Sequence, residues 1–209
     1  MQILKDKRKR IDHDRDYLLN KENRMEIIDY RGWKIEIKRD EFSNDPRKEY
    51  DNLGTMVCFH RRYGLGDENH EIKNPAELEN LINRADVIAL PLYLYDHSGL
   101  TMAIQPFSCP WDSGQVGYIF VTYEKLREIY NVKRITKKTR ALARSILLSE
   151  VELYDLYIRG DVFGYEITDS KGKFFDCCYG FYGHDNIVNE LIYAKESIDN
   201  NIERERMKK

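Results

Sequence analysis

The stretch DVIALPLYLYDHSGLTMAI, residues 86–104, decides the fold. Its first ten residues are almost continuously apolar and read as a buried strand that starts late or bulges where Pro91 interrupts it. Asp96-His97-Ser98 is a turn, and Gly99–Ile104 is the returning hairpin partner. A buried strand that folds straight back is antiparallel to its neighbour, so the chain is not a parallel, nucleotide-binding sheet.

The same pattern extends outward on both sides. Downstream, a loop over 105–115 leads to a strand over 116–121, and Thr122 opens a short helix, YEKLREIY. The longest helix is expected from Lys137 to Arg159, with Thr136 as N-cap, Gly160 as stop and a stripe of Ala143, Leu147, Val151, Tyr154 and Ile158. VFGYEIT and KFFDCCY then flank Asp169–Gly172 as a hairpin. A last amphipathic helix starts near Asp185 and frays into ERERMKK. Upstream, NPAELENLI carries a helix start, with Asn74 at the N-cap and Pro75 at the first position. A strand is expected over Thr55–Arg62, a loop over 43–54, and a hairpin over 25–40 turning at Arg31-Gly32.

The sum is an α+β fold: one mostly antiparallel sheet of six or seven strands, with three main helices packed on one face. Residues 1–24 form a charged N-terminal arm able to turn helical on docking, and 25–209 form a single domain.

Hydrophobic residues make up 42% of the 209 and charged residues 33%, which suits a globular core under a heavily charged surface and excludes disorder. Net charge is −2, so any attraction for anions has to be local. No apolar run approaches the roughly 18 residues of a membrane span, and the basic start has no apolar stretch behind it. The four cysteines show no CxxC spacing. A soluble, cytoplasmic protein without disulfides is therefore expected, with no membrane partner and no cofactor. Fifteen Tyr against two Trp is the unusual entry, because Tyr suits positions with one apolar and one wet side.

Three clusters carry chemistry. Cys58 and His60 fall on one face of the expected strand, and with His97 and Cys109 they supply the donor types of a Cys2His2 zinc site. The spacing is that of no zinc module, so the pair is read as a core thiol and a hydrogen-bonded imidazole, and no metal is assigned. The second cluster, His60, Asp96, His97, Cys109 and Asp112, holds the residue types of nucleophile, general base and orienting carboxylate. Against that stands a tight Pro/Gly turn in which Asp96 and Asp112 bond backbone amides and Trp111 plugs the core.

The third cluster is cationic. Lys133, Arg134, Lys137, Lys138, Arg140 and Arg144 surround the start of the long helix, with no acid between 133 and 149. Cations there oppose the helix dipole, so helix stability does not account for them, whereas an anion site does. Nucleic-acid backbone or an acidic protein surface would fit, and no aromatic pattern for reading RNA sequence accompanies them.

The runs LGTMVCFHRRYGLGD (53–67), ALPLYLYDHSGLTM (89–102) and PFSCPWDSGQVGYIFVTYEKLREIY (106–130) resemble an uncharacterised family of phage and mobile-element proteins of Gram-positive bacteria. The resemblance implies a genetic setting rather than a reaction. Small accessory proteins of that setting often act on host functions, including by inhibiting defence nucleases such as CRISPR effectors. The expectation is a binding protein of this anti-CRISPR-like kind, acting on a host protein, or a protein–nucleic-acid complex, through the cationic cluster. The alternative is an intracellular hydrolase or nuclease using the His/Cys/Asp cluster.

Overall fold

The computed structural model describes residues 26–207, so the arm expected over 1–24 lies outside the described residues. The first hairpin pairs β1 (Glu26–Tyr30) with β2 (Trp33–Arg39). Its turn puts Arg31 at φ 53° and Gly32 at φ 82°, the left-handed pair that a two-residue hairpin demands. A single helical turn, α1 (Pro46–Glu49), interrupts the expected loop, capped by Asp45. Next come β3 (Thr55–Cys58) and α2 (Pro75–Ile82). The expected Asn74 cap is present, its side chain accepting from Glu77 N at 3.0 Å.

The deciding stretch forms β4 (Val87–Asp96) and β5 (Leu100–Ala103), an antiparallel hairpin as read. Pro91 neither delays the strand nor sits at its bulge, which falls between Leu92 and Tyr93. On the β5 side pairing ends at Tyr93↔Ala103, so the missing Pro91 donor faces no strand there. Then follow β6 (Ser113–Thr122), α3 (Tyr123–Tyr130, capped by Thr122) and α4 (Lys137–Ile158, capped by Thr136). After Gly160, at φ 68°, come β7 (Val162–Thr168), β8 (Phe174–Tyr182) and α5 (His184–Met207). At 24 residues α5 exceeds the 22 of α4, and it holds its helix through ERERM instead of fraying.

Among the described residues eight strands make two sheets, ordered β1-β2-β7-β8 and β3-β6-β4-β5, and not one sheet of six or seven. The first and last hairpins are partners across more than half of the chain. By contacts the chain divides into two compact units. One comprises, among the described residues, 26–38, 165–177 and 194–207; the other comprises Arg39–Gly164 and Cys178–Tyr193.

The larger unit holds the β3-β6-β4-β5 sheet, covered on both faces rather than one. Leu90, Leu92, Leu94, Ile119, Val121 and Met56 pack with the α4 stripe Ala143, Leu147, Val151 and Tyr154. The alternate residues Val57 and Phe120 pack with Leu78 of α2. Two covered faces are why 87–95 is apolar without alternation.

Candidate functional sites

The cationic cluster sits at the start of α4. Thr136 Oγ1 accepts from Thr139 N at 3.1 Å, and no acid lies in the first turn. Lys133, Arg134, Lys137, Lys138, Arg140 and Arg144 are all exposed. Among the described residues none of the six has an ion-pair partner. Six uncompensated cations therefore surround the positive end of a helix dipole, an arrangement that lowers helix stability and attracts anions.

The His/Cys/Asp cluster occupies one end of the larger unit's sheet, where β3 and β4 finish and β5 and β6 begin. β3 stops at Cys58, so the alternation expected to align Cys58 with His60 ends there. The Cys58 thiol lies against the core, and burial pushes it up to about 12, away from the thiolate a metal needs. His60 instead stacks on Tyr63 at 5.1 Å between centroids and accepts from Arg62 N at 3.3 Å. Among the described residues no group of three or more His, Cys, Asp or Glu side chains is arranged to hold a metal ion.

Asp96 bonds the Arg62 guanidinium and takes a 3.4 Å contact from the Tyr63 hydroxyl. His97 Nδ1 lies 3.2 Å from Asp112 Oδ2, and Cys109 Sγ lies 3.6 Å from the same oxygen. Both carboxylates thus bond side chains and not the backbone amides expected of them. The contacts run His60–Tyr63–Asp96 on one side and His97–Asp112–Cys109 on the other, so all five candidates gather at one sheet end. Their order is wrong for a nucleophilic triad, where the imidazole stands between thiol and carboxylate; here the carboxylate is central. Trp111 does not plug the core. It is 92% exposed at the loop tip, because the short Cys109–Asp112 turn points its ring outward.

No family model, curated protein or solved structure matches the chain.

A third feature escaped the sequence. Arg47 of α1 is buried and uses all five N–H donors: Nε and Nη2 on Asp67 at 2.8 and 2.9 Å, Nη1 on Glu150 at 2.8 Å and on Asn52 at 3.0 Å, and Nη2 also on Gly54 O at 2.8 Å. The carboxylates are satisfied in turn: Glu150 accepts from Leu53 N and Gly54 N, and Asp67 from Met56 N. This network floors a cleft of ≈ 950 Å³ between α1, the start of β3, residues 67–69, α3 and α4. Nothing local in the sequence marks it, since Asp67 is 20 and Glu150 is 103 residues from Arg47.

Proposed function

We propose that the chain is a phage or mobile-element accessory protein that works by binding. Its target is a host defence nuclease, inhibited in the anti-CRISPR manner, or the nucleic acid which that nuclease holds. The observation that carries this reading is the set of six exposed, unpaired cations at the α4 start, placed where they oppose the helix dipole. A surface kept against helix stability is accounted for by a binding role. The setting rests on the runs 53–67, 89–102 and 106–130, and the guide and target strands of a CRISPR effector carry the phosphates that a cationic surface can engage.

The test is inhibition of DNA cleavage by purified, guide-loaded effector nucleases of Gram-positive bacteria. Inhibition by the wild type, lost with Lys137→Glu, Arg140→Glu and Arg144→Glu together, supports the reading; equal potency of the two proteins contradicts it.

A second reading, a hydrolase or nuclease, draws on the gathering of His60, Asp96, His97, Cys109 and Asp112 at one sheet end. Catalysis there requires the His97 imidazole to reach the Cys109 thiol, displacing Asp112 from between them. Nuclease activity that disappears in Cys109→Ala and in His97→Ala would establish it.

A further inference from the structure

The cleft floored by Arg47 continues into the cationic surface. Ile129 and Tyr130, at the end of α3, line it, and Lys133 and Arg134 follow within four residues. On α4, Ile146 and Glu150 line it; one turn earlier on the same face stands Leu142, and one turn before that Lys138. Ile129 is 52% exposed, Leu142 48% and Tyr50, at the opposite wall, 49%. Large apolar side chains are thus held half in water along a path from the cleft to unpaired cations. The cleft volume falls within the roughly 300–1,000 Å³ of ligand pockets.

Charge decides between classes of occupant. Four carboxylates line the cleft, Asp51, Asp67, Glu68 and Glu150, against three cations, Arg47, Lys48 and Lys125. Arg47 is committed to Asp67 and Glu150, Lys48 to Glu68, and Lys125 donates to Asn52 O. With four acids to three cations the cleft carries no excess positive charge for a phosphate chain, so nucleic acid can engage the α4 start but finds no net attraction in the cleft. A protein segment can use both parts, with apolar side chains in the cleft and carboxylates against the cations.

We infer that this surface docks a partner-protein segment combining acidic residues with large apolar anchors. The anchors sit against Ile129, Leu142 and Ile146, and the acids against Lys133, Arg134 and Lys138. The inference rests on the binding role proposed above and names its partner class.

The test selects short random peptides by display on the full chain. It then measures the affinity of selected peptides, and of a random-sequence single-stranded DNA, for wild type, Ile129→Glu, Leu142→Glu, K133E/R134E/K138E and K137E/R140E/R144E. Circular dichroism and urea midpoints confirm folding, and Ile129→Ala and Leu142→Ala replace any Glu variant that fails this check. The expected result is enrichment of sequences joining Asp or Glu to Leu, Phe or Trp, with affinity falling at least about tenfold in each cleft variant and in K133E/R134E/K138E. Absence of such enrichment, or peptides indifferent to both cleft substitutions, overturns the inference. DNA binding that is lost in either triple variant but kept in both cleft variants, with no peptide selected, also overturns it while leaving the cationic binding role standing. If neither triple variant loses affinity for either probe, the binding role itself is removed.

Discussion

Arg47 shows how much one side chain can organise. Its guanidinium ties α1, the turn before β3, Asp67 and the middle of α4 together, with each donor matched to an acceptor. A lysine cannot reproduce the two-pronged contact with Asp67, and it leaves Glu150 or Asp67 buried without a counter-charge. Arg47→Lys is therefore expected to lower unfolding free energy by about 3–5 kcal/mol, read from urea denaturation. A loss within the scatter of surface mutants would mean that water replaces the network. Asp155 offers a second test. Burial raises its carboxyl pKa above the ordinary value, outweighing the hydrogen bond from Met102 N and the nearby Arg159. The folded state consequently holds this proton more tightly than the unfolded state does. Stability from this group is greatest below the ordinary carboxylate pKa of about 3.9 and falls as pH rises through the raised one. Asp155→Asn removes that dependence, so the variant should gain on the wild type between about pH 3 and pH 7 in urea midpoints. A variant that loses ground to the wild type as pH rises would contradict the sign.

At the scale of elements, helix ends were readable because their chemistry is local. Asn74, Thr122 and Thr136 each cap the helix expected of them, and Gly160 stops α4 at positive φ. Strand partners were not readable. Alternation in residues 25–40 and 162–182 tells which side chains share a face, but nothing in either stretch says that the two hairpins belong to one sheet. Covered faces hid in the same way: a nine-residue apolar run is compatible with one buried face or two until Phe120 and Val57 are seen against α2. The site divides similarly. The α4 cations were legible as a run without acids. The Arg47 cleft was not, because its carboxylates come from distant segments, and Trp111 misled because an aromatic in a Pro/Gly loop looks the same whether it points in or out. α4 also carries a prediction of its own. Lys137→Glu with Lys138→Glu replaces dipole-opposing cations by favourable anions, each worth roughly 0.3–1 kcal/mol at low salt. Thermal unfolding should shift upward for this pair, and a downward shift would mean that the cations serve the fold.

For the whole molecule, a net charge of −2 conceals a segregated surface. Its carboxylates pair repeatedly with Arg31, Arg47, Arg62, Arg84 and Arg159, while the α4 start has none. No helix among the described residues is long and apolar enough to cross a membrane. Stability and binding are thus expected to move in opposite directions under the same substitutions, which separates a functional surface from a merely solvated one. The most direct measurement is the dissociation constant of the chain for purified guide-loaded effector nuclease at about 50 and about 200 mM salt, for wild type and K137E/R140E/R144E. The wild type should bind and weaken steeply between the two salts, while the triple variant, folded and at least as stable, should lose most of the affinity and the salt dependence. Equal affinity and equal salt dependence for the two proteins would contradict the cationic start of α4 as the binding surface.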